Sequence, residues 1–390
     1  MSIGISKKGI ICIFLYVFFL LLYMLILPFG DEPDFNRRGL EYLSIFSSLN
    51  WSYFEGLIPI VENPNNGVLN TASECISTID AMQIYGKYDF NTCPQVVELA
   101  LKRSLLTLVI FFPIFIPILF GRFRNYNNSI ILQKYSFNRD SLSISLLFPG
   151  FIYYSSVFSL EQVCLMLSLF FIYSFCSSKY FLGIASLSLF LLLDQGNAQA
   201  FIVIFLYIIF SIYIYKLLGF NKFLLINALF FITGFFGAES LLPFLSNFND
   251  KLGTIYHDYT NSPAINDHPL ILRPIMTFMS YNIMPPAYSK HPLVYLIVGL
   301  GICYTFFKHY YTNLRYRINY LHLVVPISIT VVVSVIIFFL PGFTNSKYYI
   351  FTIPFFINTI LQYYSIKTVI IFFVILNILI LFDYLFFYLI

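Results

Sequence analysis

Charge is scarce in this chain. Only 10% of its 390 residues are Asp, Glu, Lys or Arg, tryptophan occurs once, and there are five histidines and six cysteines. With 59% hydrophobic residues and a mean hydropathy of +0.81, the chain cannot hide its apolar surface in one aqueous core. No ten-residue alternation of the barrel kind is visible, which favours helices as the spanning element. No repeat of about 20–50 residues is evident, so a solenoid is not expected. No cysteine and histidine spacing matches a recognised zinc pattern. The net charge of +4 is spread over short loops and forms no basic stripe, so nucleic acid is not an expected partner.

What is abundant is apolar and aromatic. The runs Ile10 to Pro28, Ser104 to Phe120 and Thr368 to Ile390 approach or reach the roughly 20 residues that a helix needs to cross the hydrocarbon layer. Helices are the expected spanning element, since each satisfies its own backbone in lipid. The first run ends in Leu-Pro-Phe-Gly-Asp rather than in a small-x-small cleavage pattern, and is read as a retained helix. The 47 Phe and 31 Tyr suit lipid-facing helices and interfacial belts and carry no functional weight.

The fold class expected is therefore all-α, a single integral membrane domain over 1–390 with about ten or eleven transmembrane helices. Spans are placed at 10–28, 104–120, 141–157, 160–176, 181–194, 198–215, 223–242, 292–307, 321–340, 350–363 and 368–388. With the N-terminus cytoplasmic, the inner connections collect 13 of the 22 basic residues, among them Lys7, Lys8, Arg122, Arg139, Lys216, Lys308 and Arg317, as the positive-inside rule asks. Two external loops are long, 29–103 and 243–291, and function is expected on that side. In the first loop Phe35, Leu40, Leu43 and Phe46 alternate with charge, a pattern read as amphipathic helices on the membrane surface. Asn63-Pro64-Asn65-Asn66-Gly67 marks a turn within it.

Cys12, Cys164, Cys176 and Cys303 lie in or beside expected helices, where a thiol behaves as a small apolar residue. Cys75 and Cys93 both fall in the first external loop. A disulfide between them would constrain the unfolded chain by about 3 kcal/mol and would have a structural role; the alternative is two unrelated thiols. His257-Asp258 and Asp267-His268 in the second loop are read as solvated loop residues, and no protein-held metal or cofactor is expected.

The most informative segment leaves the first span directly: Pro28-Phe29-Gly30-Asp31-Glu32-Pro33-Asp34-Phe35-Asn36-Arg37-Arg38. A carboxylate anchored where the chain leaves hydrocarbon stands beside the headgroup of a membrane-embedded substrate, in place to act as a general base. Acids before a Pro and a Leu-spaced run equally describe an ordinary helix N-terminus. Both readings stay open from the residues alone.

An acidic pair just after the first helix, an amphipathic external loop and about ten more helices resemble the GT-C superfamily of polyprenyl-phosphate-dependent glycosyltransferases. The resemblance implies a catalytic carboxylate at Asp31 or Glu32, with Asp34 as the third option. Phe148-Pro149-Gly150-Phe151-Ile152-Tyr153-Tyr154-Ser155-Ser156, followed by Glu161, is similar to the stretch that joins the third and fourth helices of such enzymes. Asn345-Ser346-Lys347-Tyr348-Tyr349 with Pro354 is similar to their late external loop, which sets a basic residue and a Tyr by the lipid phosphate. Lys347 departs from the Arg-Tyr often found there and offers a point charge rather than a bidentate fork.

By chemistry alone, transfer from a lipid phosphate needs a base for the acceptor hydroxyl and positive charge for the departing phosphate. Arg273, Lys347 or the Arg37-Arg38 pair would supply the charge. Arg273 lies in an apolar stretch, where it either meets an anion or snorkels to the interface. Asp194 interrupts an apolar pair of helices and is read either as a substrate contact or as a loop residue. The expectation is an inverting glycosyltransferase of a bacterial cytoplasmic membrane, with its site on the periplasmic face. It would move a sugar or an oligosaccharide repeat unit from an undecaprenyl phosphate or diphosphate to a polysaccharide or lipid-linked acceptor such as O-antigen. Within the same chemistry an O-antigen polymerase of the Wzy type is the alternative. A flippase or carrier, with broken or charged helices near the midplane, is the rival class, and a noncatalytic scaffold is a third.

Overall fold

The structure, a computed structural model, describes residues 6–27, 76–78, 86–88, 95–120, 139–157, 160–245, 257, 269–280, 320–339 and 346–389, together with the isolated helical positions 301, 304, 308 and 311. The protein is a helical membrane protein. Four described helices are long and apolar enough to cross a membrane: Lys7–Ile26, Val96–Phe120, Gln195–Ala238 and Leu321–Phe339. The chain forms two compact units, the first from residues 1–122, 142–195 and 366–390, the second from 123–141 and 196–365.

In the first unit, α1 (Lys7–Ile26) and α2 (Val96–Phe120) pack antiparallel. The Ser6 amide donates to Leu119 O at 3.2 Å at one end, and Ser104 Oγ lies 3.3 Å from Met24 Sδ at the other. Gly9 lets the two backbones approach, since a Cβ there would meet Ile118 O at 3.0 Å. The segment between the helices therefore joins the ends of α1 and α2 remote from Lys7 and Lys8. Its described part is a short antiparallel pair, β1 (Ile76–Thr78) with β2 (Gly86–Tyr88), in the register Ile76 to Tyr88 and Thr78 to Gly86. The amphipathic helices expected in this loop lie outside the described residues.

The face of α2 turned away from α1 carries Val97, Leu101, Leu105, Val109, Phe112, Ile116 and Phe120, all exposed at steps of three or four. So continuous an apolar stripe would be an aggregation surface in water and is at home in lipid.

The span expected at 141–157 is not one helix. It divides into α3 (Arg139–Ser145) and α4 (Pro149–Ser156), each too short to cross. Pro149 has no N–H to offer to Ser145, and Phe148 takes extended backbone as the N-cap of α4. The break exposes the carbonyl of Leu147, which accepts from Asn377 Nδ2 at 2.8 Å. Asn377 belongs to α11 (Ile366–Leu389), which packs on α1. Next come α5 (Leu160–Cys176) and α6 (Tyr180–Leu193), an antiparallel pair tied by Ser186 Oγ donating to Leu167 O at 2.7 Å.

In the second unit, the helical segment α7 (Gln195–Leu245) is broken at Gly219, whose φ of 78° and ψ of 175° are open essentially to glycine alone. Tyr207 Oη donates to Asn227 Oδ1 at 3.0 Å, and the Tyr207 ring stacks on Phe230 at 4.9 Å. Residues nearly equidistant from Gly219 thus meet, and the two arms form a helical hairpin. They coincide with the spans expected at 198–215 and 223–242.

The second arm runs parallel to α9 (Leu321–Phe339), touching it from Phe220 on Tyr320 (4.4 Å) to Phe235 on Phe338 (5.5 Å). The unit also holds a 3-10 turn (Leu270–Leu272) leading into α8 (Arg273–Ser280), and a second 3-10 helix (Ser346–Thr352) leading into α10 (Ile353–Ile360). The expected span at 292–307 lies outside the described residues apart from Gly301 and Tyr304.

Candidate functional site

The carboxylates expected to catalyse, Asp31, Glu32 and Asp34, lie outside the described residues with Arg37, Arg38, Cys75 and Cys93. Asp258, Asp267 and His268 of the second loop lie outside them as well. The described candidates fall in both units.

In the first unit, all eight residues of α4 are buried, including the Tyr153-Tyr154-Ser155-Ser156 stretch singled out from the sequence. A helix of eight residues leaves half its carbonyls without an intrahelical partner. Here the last two are met from neighbouring helices. Arg103 of α2, with no exposed surface, donates from Nη2 to Ser156 O at 3.2 Å. Gln162, in the first turn of α5, donates from Nε2 to Ser155 O and to Thr107 Oγ1, the latter at 3.2 Å. Tyr16 of α1 donates to Ser155 Oγ at 2.8 Å, and Ser156 Oγ returns to Tyr153 O at 2.6 Å. The guanidinium thus sits at the negative end of the α4 dipole, the favourable end for a cation. Aromatic edges close the layer beneath: Tyr16 on Phe115 and Phe151, and Phe111 on Phe151, at 5.7–6.2 Å.

Sequence reasoning missed this cluster, because the second span was begun at Ser104 and Arg103 was left in the external loop. The structure starts α2 at Val96 and places Arg103 two turns inside it. The signal was present: Val96, Leu99, Ala100, Arg103, Thr107, Phe111, Ile114 and Ile118, all buried, fall on one helical face. Glu98 and Lys102, exposed on the other side and paired at 2.7 Å, complete the helical pattern. Glu161 is the second residue of α5, before Gln162. Asp194 links α6 to α7, its amide donating to Phe190 O at 2.9 Å as the cap of α6.

In the second unit, Arg273 opens α8 and is buried, 5% exposed. A snorkelling arginine would reach outward, and this one does not. Thr277, one turn on and fully buried, donates to Arg273 O at 3.1 Å. α8 packs against α9 and against the 3-10 helix Ser346–Thr352, which carries Lys347 and Tyr348. Tyr349 and Thr352 of that 3-10 helix are buried, with Thr352 Oγ1 donating to Tyr349 O at 2.6 Å. Arg273 and Lys347, 74 positions apart in sequence, therefore stand on elements in contact. Comparisons with protein-family models, with curated proteins and with solved structures find no match.

Proposed function

We propose that this chain is an inverting membrane glycosyltransferase that takes a sugar or an oligosaccharide repeat unit from an undecaprenyl-type phosphate or diphosphate. The acceptor is a growing surface polysaccharide such as O-antigen, at the external face of a bacterial cytoplasmic membrane. The acceptor hydroxyl attacks the anomeric carbon and gives its proton to Asp31 or Glu32, with Asp34 the third option. The bond from the anomeric carbon to the phosphate oxygen breaks, and the phosphate leaves with the electron pair. Arg273 and Lys347, with Arg37 and Arg38, meet the growing negative charge.

The observation that carries this reading is the packing of the Arg273 helix on the 3-10 helix bearing Lys347 and Tyr348. An anionic phosphate held between them would be the reason for an arginine to be turned inward in an apolar region.

Complementation tests it. The gene is deleted in its host, and wild type, Asp31→Asn, Glu32→Gln, Arg273→Gln or Lys347→Ala is restored at matched membrane abundance. Polysaccharide and its lipid-linked precursor are then resolved by gel and mass spectrometry. Loss of a sugar increment or of the ladder, with precursor accumulating on the outer face, is expected, and single-repeat products would select the polymerase form. Unchanged polysaccharide in both acid variants would remove the mechanism.

A second reading, a flippase for lipid-linked oligosaccharide, is favoured by the break between α3 and α4, with a buried arginine at the far end of α4, since carriers use discontinuous helices. Precursor trapped on the inner face would select it.

A further inference from the structure

The segment Leu270–Ser280 is built inside out. The 3-10 turn and α8 together expose Ile271 (47%), Leu272 (44%) and Ile275 (54%) while burying Arg273 and Thr277. Leu272 and Ile275, and Ile271 and Ile275, are one turn apart on one face; Arg273 and Thr277 are one turn apart on another. In contact with water this rotation is the wrong one, since half a turn about the axis would bury the three aliphatic side chains and wet the arginine. The segment comprises three residues of 3-10 helix and eight of α-helix, about half of what a crossing requires.

We propose that Leu270–Ser280 lies in the plane of the membrane as an inserted element. Its Ile271, Leu272 and Ile275 face contacts the hydrocarbon chains of surrounding lipid, and its Arg273 and Thr277 face is turned into the protein. Lipid is the occupant because the outward faces of the crossing helices carry the same kind of apolar stripe, as on α2 from Val97 to Phe120. In an outer phase as apolar as the protein interior neither face of α8 is misplaced. This inference does not depend on the glycosyltransferase reading.

The test uses the full chain, reconstituted in phosphatidylcholine and phosphatidylglycerol vesicles whose acyl chains are brominated. The single tryptophan, Trp51, is replaced by Phe, and a reporter is introduced as Ile275→Trp, or as Leu272→Trp should the first variant fail to give a monodisperse protein. Val109→Trp on the outward face of α2 is the reference, being 71% exposed. The expected result is quenching by brominated chains comparable to that of Val109→Trp, with blue-shifted emission and little quenching by aqueous iodide. Quenching by iodide and not by bromine would place the face in water and overturn the proposal. Quenching by neither would place protein on that face, a second copy of the chain included, and would overturn it as well.

Discussion

Tyr16, in the middle of α1, donates to Ser155 Oγ at 2.8 Å across 139 positions of sequence. The bond joins the first membrane helix to the end of α4, whose carbonyls are also held by Arg103 and Gln162. Three elements thus converge on a helix terminus buried inside the bundle and satisfy it with protein groups.

Arg103 is the most consequential member of that cluster. Arg103→Ala removes the donor from Ser156 O and leaves a cavity in place of the largest fully buried side chain of the molecule's described residues. An orphaned buried carbonyl alone costs about 1–3 kcal/mol. Thermal unfolding in detergent is expected to fall by several degrees for Arg103→Ala. Lys102→Ala, one residue away but exposed and paired with Glu98 at the surface, is expected to be near neutral.

The hairpin of α7 gives an independent test. Gly219 holds a backbone conformation closed to other residues, and no atom lies within 4 Å of the position its Cβ would take. Gly219→Ala is therefore opposed by backbone strain alone, of order 1–3 kcal/mol. Gly234 is the opposite case: it is helical, and a Cβ would stand 2.7 Å from Val335 Cγ2. Gly234→Ala is expected to destabilise by about 1–3 kcal/mol through overpacking. Val335→Ala in the same chain should recover most of that loss, whereas it should not rescue Gly219→Ala. Unfolding midpoints of the four variants decide this.

These two glycines also show what was legible in the sequence. Gly219 lies between Lys216 and Lys222, a charged interruption of an apolar run, and the spans on either side were placed from that interruption. Other features were hidden by the solvent. In water a buried face is read from the contrast with a polar one, but in lipid both faces of a helix are apolar and the contrast fades. The inward turn of Arg273, with Ile275 outside, could not be read for that reason. The break before Pro149 was absorbed into an apolar run from Ser141 to Val157 that matched the length of one span.

The turn between α5 and α6 predicts a gain. Ser178 adopts a left-handed conformation, φ 52°, as the chain caps α5: Lys179 N donates to Ser174 O at 2.8 Å and Ser177 N to Tyr173 O at 2.9 Å. This is the geometry in which helices most often end in glycine. Ser178→Gly relieves a strain of about 1–2 kcal/mol at the expense of an exposed 3.2 Å bond from Ser178 Oγ to Tyr180 Oη. A higher unfolding midpoint with unchanged membrane abundance is expected. A lower one would mean that the hydroxyl bond, not the backbone, governs the turn.

Asn377 unites the same themes in one side chain. Buried in the middle of α11, it accepts from Tyr23 Oη at 2.6 Å and donates from Nδ2 to Leu147 O at 2.8 Å, the carbonyl exposed by the break between α3 and α4. Bonds between membrane helices contribute about 0.6 kcal/mol on average, because a partner is also found when the helices are apart. Leu147 O has no such freedom, since the break fixes it among apolar neighbours. Asn377→Leu should therefore cost more than Tyr23→Phe, which leaves the amide bonded to Leu147. If the interhelical bond to Tyr23 were the main contribution, the two variants would lose equal stability. If the broken helix is what Asn377 sustains, Asn377→Leu alone should increase proteolytic cleavage near Leu146–Phe148, and Tyr23→Phe should leave that segment protected.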